Sequence, residues 1–204
     1  MAIARSGSAD VGPSDRQPIF YYDLGSPECY LMAEAVLTAL PVVPEWEPVP
    51  AQQLGKPDGG PGRAVIERRA AQLGLQPLRW PGTWPPDTRT ALLAATYAKR
   101  VGRAVAFSLA AFRQAFAGGR DLGDENTVLL AAAACELHPA AVLKGIALRS
   151  VGEALEAAAD RAAGAGVSAL PALELDGEVF AGANAISRVA SALGDVLGPQ
   201  CSPT

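Results

Sequence analysis

Near its start, the chain passes from a short strand directly into a helix, and this junction restricts the possible folds strongly. Residues 19–22 are rich in β-formers, and Ser26 and Pro27 suit the N-cap and first position of a helix. Helical spacing continues over 28–40, and strand character returns over 42–49. A strand, a helix and a strand in this order favour a parallel pair joined by a right-handed crossover.

The middle of the chain is helical in character and lacks hairpin signals. The sequence predicts six helices here: Arg63–Leu73, one capped by Asp87 and reaching Val101, Ala104–Ala117, one starting at Asp124 and reaching Leu137, one with Pro139 in its first turn, and one opened by the capping box Ser150-Val151-Gly152-Glu153. Because few β-branched residues interrupt this stretch, we interpret residues 63–149 as an all-helical insertion.

The last part of the chain returns to strands. Residues 172–175 and 178–180 flank Asp176-Gly177, a strong hairpin signal because both turn residues tolerate positive φ. A final helix is predicted over about 184–197. The order β-α-β, helices, α-β-β-α predicts an α/β fold of thioredoxin-like topology, with a mixed sheet and an all-helical insertion.

The predicted division of the chain follows from these changes of pattern. Residues 1–17 are small and polar and predict a disordered tail. Residues 18–62 and 150–200 are predicted to form the thioredoxin-like domain, and 63–149 the insertion.

Charge and cysteine usage exclude several classes of function. A formal net charge of −4 argues against a nucleic-acid surface, which needs clustered Lys and Arg. The three cysteines, Cys29, Cys135 and Cys201, form no CxxC pair, so neither a disulfide framework nor a zinc site is predicted. His138, the only histidine, lies between two predicted helices and is interpreted as a junction residue.

Location is predicted from what the sequence lacks. No run of about 18 apolar residues occurs, so no membrane partner is expected. Residues 1–18 have no apolar core of secretory length. With reduced thiols, these observations predict a soluble, cytoplasmic protein.

Two segments are candidates for chemistry. Ser26-Pro27-Glu28-Cys29 places a helix N-terminus at the carboxyl end of a strand, where its field stabilises a thiolate or another anion. The alternative is that Ser-Pro is only an efficient helix start. Leu170-Pro171 precedes a strand, where a cis proline can leave the preceding backbone free for a peptide-like ligand. The alternative is an ordinary loop proline.

These segments resemble a known superfamily. Phe20-Tyr21-Tyr22-Asp23-Leu24-Gly25-Ser26-Pro27 followed by Cys29-Tyr30-Leu31 resembles the opening of DsbA-like thioredoxin-fold proteins. Residues 112–122 and 166–182 extend the likeness, which covers about 18–197. Within the superfamily the chain is most similar to 2-hydroxychromene-2-carboxylate isomerases and kappa-class glutathione transferases.

The resemblance implies a role for Ser26. Disulfide oxidoreductases of the superfamily carry Cys-Pro-x-Cys, and Ser26 takes the place of the first, nucleophilic cysteine. A serine hydroxyl cannot form a disulfide, which blocks a dithiol cycle. In the isomerase and transferase branch, a serine there hydrogen-bonds the sulfur of glutathione. Cys29 holds the second-cysteine place, as a candidate catalytic residue for which a structural role is favoured.

The expected ligand is glutathione or another low-molecular-weight thiol, with Ser26, Pro27, Leu170, Pro171 and Asn184 as candidate binding residues. One departure weakens this expectation. Relatives that use glutathione carry an Asp-Arg pair after the last hairpin, whereas here Ala183-Asn184-Ala185 has no charge.

Three functions remain open from the sequence. The first is a thiol-dependent isomerase or transferase acting on a small aromatic or conjugated substrate. The second is a thiol–disulfide oxidoreductase using Cys29 alone, which requires an exposed Cys29 with a lowered pKa. The third is a non-catalytic peptide- or thiol-binding module. Relatives are often dimers, so a homodimer is one option.

Two further groups of residues receive structural interpretations. Trp80 and Trp84 could wall a substrate pocket, but packing in their loop is the preferred interpretation. The run Arg68-Arg69 is interpreted as a solvated helix face.

Overall fold

The computed structural model describes residues 16–55 and 60–194, within which it has one four-stranded sheet and eight α-helices. The strands are β1 (Ile19–Tyr22), β2 (Glu45–Pro48), β3 (Ala172–Leu175) and β4 (Glu178–Ala181). The helices are α1 (Pro27–Ala39), α2 (Arg63–Gln72), α3 (Arg89–Arg100), α4 (Ala104–Phe116), α5 (Glu125–Ala134), α6 (Pro139–Ile146), α7 (Arg149–Gly164) and α8 (Ala185–Gly194). A 3₁₀ turn, Ala51–Leu54, follows β2.

The sheet has the predicted mixed, thioredoxin-like arrangement. Its strand order is β2-β1-β3-β4. β1 is parallel to β2 and antiparallel to β3, and β3 is antiparallel to β4. The predicted hairpin is confirmed, because Asp176 and Gly177 both have positive φ, at 52° and 81°.

The two faces of β1 pack against different helices, because side chains alternate along a strand. Phe20 and Tyr22 are fully buried in the main core, together with Trp46 of β2 and residues of α1, α4 and α8. Tyr21 points to the opposite face, where a smaller core includes Val49 and alanines of α7. This arrangement fixes the carboxyl end of β1 between two helical layers.

The predicted helices all occur, with corrections at two starts. The capping box at Ser150 is wrong: α7 begins at Arg149 after Leu148, and the Ser150 hydroxyl instead accepts a hydrogen bond from Arg100 at 2.9 Å. α3 begins at Arg89 after Thr88, one residue later than predicted; Thr88 makes no capping hydrogen bond, and the predicted cap Asp87 accepts the Arg89 N–H at 3.0 Å.

Other sequence-based boundaries are adjusted or lie beyond the described ranges. β2 is shorter than the predicted strand over 42–49. The predicted tail is outside the described residues up to position 15, as are Cys201 and the predicted helix end after 194. Of the helices described, none is long and apolar enough to cross a membrane.

Candidate active site

The turn that joins β1 to α1 has the predicted helix cap. Ser26 has extended backbone angles, and its hydroxyl oxygen accepts the backbone N–H of Cys29 at 3.2 Å. Pro27 occupies the first helical position, where its missing N–H leaves no hydrogen bond unmade. The side chain of Ser26 is half-buried. The turn therefore presents a capped helix N-terminus at the end of a buried strand.

A buried carboxylate, that of Asp23, holds this turn in place by hydrogen bonds. Asp23 Oδ1 accepts the Gly25 N–H at 2.8 Å and the Thr88 hydroxyl at 3.1 Å, and Oδ2 accepts the Ala51 N–H at 2.8 Å. Burial raises the pKa of Asp23 above its usual value, and the three hydrogen bonds offset only part of this increase. The carboxylate thus joins the turn to the 3₁₀ segment after β2 and to the start of α3.

Cys29 lies beneath the turn and is fully buried. Burial raises the pKa of its thiol to about 12, and the contact with the Ser26 side chain lowers it by less. This environment is opposite to the exposed, low-pKa cysteine that a mixed-disulfide mechanism requires. Cys135, the other cysteine in the described ranges, is also buried.

The second predicted segment lies at the start of β3. The Leu170–Pro171 peptide bond is cis, and β3 begins at the next residue. Both residues are partly exposed.

A cleft of about 810 Å³ lies beside this segment. Its other walls are one face of α1, the C-terminal half of α2, and the connection from β4 to α8. The apolar residues from these elements are Leu31, Met32, Ala35, Leu73, Ala181, Ala183 and Ile186. Such a volume and apolar lining suit a small organic ligand.

The structure brings some of the predicted site residues to the cleft. Leu170 and Pro171 line it, whereas Ser26, Pro27, Cys29 and Asn184 are not among its lining residues. The first turn of α1 contributes Glu28 instead. The roles assigned to the other four residues therefore stay predictions.

Two charged residues of the cleft were not predicted as site residues. Glu28 and Arg69 both line it, from α1 and α2. Arg68 is exposed, as its interpretation as a solvated helix face predicts, whereas Arg69 is half-buried and lines the cleft. Partial burial raises the pKa of Glu28 above its usual value, and the positive charge of Arg69 offsets only part of this increase. The spacing of 28, 31, 32 and 35 on one helical face was the signal that could have identified this wall.

The remaining residues singled out from the sequence have structural roles, in packing or in helix capping. Trp80 and Trp84 pack edge-to-face on each other and on Phe116, and neither lines the cleft. His138 is the N-cap of α6, where its Nδ1 accepts the Ala140 N–H at 3.2 Å. Both preferred interpretations are confirmed.

Comparison by sequence identifies one family. A model of the DSBA-like thioredoxin domain matches residues 19–194. No curated protein matches the chain.

Solved structures share the fold at low sequence identity. A 2-hydroxychromene-2-carboxylate isomerase has a TM-score of 0.77 at 18% identity, over 88% of this chain and 95% of that one. A probable DsbA oxidoreductase from Streptomyces coelicolor gives 0.72 at 22%, over 93% and 92%. The cytosolic disulfide reductase DsbM from Pseudomonas aeruginosa, solved with GSH, gives 0.61 at 14%, over 88% and 94%.

Proposed function

We propose that this chain, which belongs to the DSBA-like thioredoxin domain family, uses a low-molecular-weight thiol such as glutathione to isomerise a small conjugated or aromatic substrate, or to transfer the thiol to it. One observation carries the proposal. The turn that holds the catalytic cysteine in disulfide oxidoreductases here presents a serine hydroxyl, and the cysteine behind it is fully buried.

The reactive sulfur must therefore come from a ligand. Cys29 keeps its proton at neutral pH because burial raises its pKa to about 12. A neutral, inaccessible thiol is a poor nucleophile. The N-terminus of α1 offers a partial positive charge, which favours the thiolate form of a ligand sulfur placed there. Pro27 has no N–H and the Cys29 N–H is donated to the Ser26 hydroxyl, so the Glu28 N–H is the backbone donor that the first turn leaves for such a ligand.

The cleft fits the proposed substrate class. Its volume of about 810 Å³ is in the range of small-molecule sites, and Leu31, Met32 and Ile186 supply apolar contact for a ring or a conjugated chain. Structures with this fold that are named as a 2-hydroxychromene-2-carboxylate isomerase and as a disulfide reductase solved with GSH support the proposal by analogy.

The proposed chemistry needs no redox change. The Ser26 hydroxyl donates a hydrogen bond to the thiolate sulfur, and the sulfur adds to a conjugated carbon of the substrate. The electron pair moves onto the conjugated system, which takes up a proton. In isomerisation, rotation and loss of a proton then expel the thiolate, so the thiol is regenerated. In transfer, the adduct is the product. The backbone at Leu170 holds the peptide part of the thiol.

A binding module without catalysis is the second candidate. It is favoured by a specific observation, since the Ser26 side chain is not among those that line the cleft. The oxidoreductase that uses Cys29 alone is disfavoured by the burial of that thiol.

The test measures binding and thiolate formation separately. Thermal unfolding is followed with glutathione, coenzyme A and cysteine, with S-methylglutathione as the control that cannot ionise at sulfur. A ligand at 100 times its dissociation constant adds about 2.7 kcal/mol to the free energy of unfolding. Ultraviolet absorbance of the bound thiolate then gives the pKa of the ligand sulfur.

We expect one thiol to stabilise the wild type, with a sulfur pKa below its value in water. The Ser26→Ala variant should bind with a higher sulfur pKa. Binding with an unchanged sulfur pKa would favour the binding module. Absence of stabilisation by every thiol tested would refute the thiol-dependent function.

A further inference from the structure

We infer that Glu28 and Arg69 bind the zwitterionic α-amino-acid end of the thiol ligand, an assignment that rests on the proposed function. The ammonium group would pair with the Glu28 carboxylate and the α-carboxylate with the Arg69 guanidinium. The two residues would then perform the anchoring that the uncharged Ala183-Asn184-Ala185 segment cannot supply.

The geometry leaves both side chains available to a ligand. Glu28 Oε1 lies 3.9 Å from Arg69 Nη1, which is beyond hydrogen-bond distance. Within the described ranges, neither side chain makes a hydrogen bond. Their side chains are 31% and 40% exposed, so solvent screens the pair and little is lost when a ligand separates them.

A second ion pair of α1 is an example of a pair that holds two helices together in this protein. Arg113 of α4 donates two hydrogen bonds to Glu34, at 2.7 and 2.8 Å. This bidentate contact satisfies both partners and fixes α4 against α1. The Glu28–Arg69 pair lacks such a contact although it joins α1 to α2 in the same way. Its looser geometry is consistent with a pair that binds a ligand rather than one that holds two helices together.

The position of the pair also matches the ligand's polarity. Glu28 and Arg69 are the charged side chains of the described cleft lining, and most of the remaining lining is apolar. Among the described residues that line the cleft, these two are the partners of the correct sign for a ligand with both an ammonium and a carboxylate group. Arg69 suits the carboxylate, because a guanidinium can donate two parallel hydrogen bonds.

The test combines variants of the protein with altered forms of one ligand. Calorimetry gives dissociation constants for glutathione, for N-acetylglutathione, which lacks the ammonium group, and for glutathione diethyl ester, which lacks both carboxylates. The proteins are the wild type, Glu28→Gln, Arg69→Gln and the matched control Arg68→Gln, whose side chain is exposed on the same helix and does not line the cleft.

We expect the wild type to bind glutathione about tenfold more tightly than either altered ligand, which corresponds to one charged contact. Glu28→Gln should lose the preference over N-acetylglutathione and keep the preference over the ester. Arg69→Gln should lose the preference over the ester and keep the preference over N-acetylglutathione. Arg68→Gln should behave as the wild type.

The outcomes separate this inference from the proposed function. Equal wild-type affinity for the three ligands overturns the inference without any variant and leaves thiol dependence intact. The inference is also overturned, with thiol dependence intact, if Glu28→Gln or Arg69→Gln binds all three ligands with wild-type affinity. It is overturned likewise if either variant binds all three more weakly by the same factor. If the wild type binds no thiol, the proposed function fails and the inference fails with it.

Discussion

The hydroxyl oxygen of Ser26 accepts the backbone N–H of Cys29 at 3.2 Å, and the Ser26 side chain also contacts the Cys29 thiol. One side chain therefore caps α1 and lies next to a sulfur that the solvent does not reach. The expected effects of changing either residue follow from this double contact.

Substitutions at Ser26 should separate helix capping from thiol binding. Ser26→Ala removes the cap and should lower the free energy of unfolding by about 1 kcal/mol. Ser26→Asp keeps a capping oxygen, so stability should stay near that of the wild type, but its charge repels a thiolate. Urea unfolding and calorimetric titration with glutathione measure the two effects. Wild-type affinity in Ser26→Asp would show that the hydroxyl does not contact the ligand sulfur.

Cys29 should resist alkylation in the folded protein. A pKa of about 12, against about 8.5 for a free thiol, lowers the thiolate fraction at neutral pH by more than about a thousandfold. We expect iodoacetamide to label Cys29 only after unfolding in guanidinium, as mapped by peptide mass spectrometry. Rapid labelling of the folded protein would restore the oxidoreductase that uses this cysteine alone.

Stability should fall in mildly alkaline solution because of Cys29. The folded state keeps the thiol proton up to about pH 12, whereas in the unfolded chain the thiol is half ionised near pH 8.5. The unfolded state then binds fewer protons, so the free energy of unfolding decreases as the pH rises through this window.

The measurement compares wild type and Cys29→Ala by urea unfolding between about pH 7.5 and 9.5, below the usual pKa of tyrosine. Cys29→Ala should be less stable at pH 7.5 but should show a shallower decline. Parallel declines in the two proteins would show that Cys29 does not cause the loss.

Two helical glycines should respond in opposite directions to the same substitution. A Cβ on Gly145 would lie 2.5 Å from Cγ of Tyr97, whereas one on Gly152 would meet no atom within 4 Å. Gly145→Ala should destabilise the protein by about 1–3 kcal/mol through overpacking. Gly152→Ala should stabilise it by roughly 0.5 kcal/mol through helix propensity. Thermal unfolding measures both.

Tyr97 provides the control for this pair. If the clash with Tyr97 causes the loss, Gly145→Ala should destabilise a Tyr97→Ala background much less than the wild type. An equal loss in both backgrounds would place the cause elsewhere.

Local patterns predicted the elements that depend on short-range interactions. Ser26-Pro27 fixes a helix start by its own hydrogen bonding, and Asp176-Gly177 fixes a hairpin by its own backbone preference. The parallel pairing of β1 and β2 followed from their connection through one helix. The same reasoning failed at Ser150, because three-residue spacing to a glutamate does not determine which residue starts a helix when Leu148 already has extended angles.

The cleft depended on long-range packing and was only partly predictable. Arg68 and Arg69 are chemically identical, and the rotation of α2 about its axis decides which one enters the cleft. The same applies to α1, whose rotation brings Glu28 rather than Ser26 to the lining. The full burial of Cys29 likewise requires the helices of the main core, which no local pattern around it describes.

The three hydrogen bonds to Asp23 restrict how this protein can be shortened. Thr88 supplies one of them from the helical segment predicted to be an insertion, and Tyr22, next to Asp23, bonds Ser108 of α4 at 2.6 Å. Excising that segment would strip a donor from a carboxylate that is 6% exposed and a partner from a buried phenol. Sheet and helical block are thus expected to unfold cooperatively, and a minimal version of the protein would have to retain both.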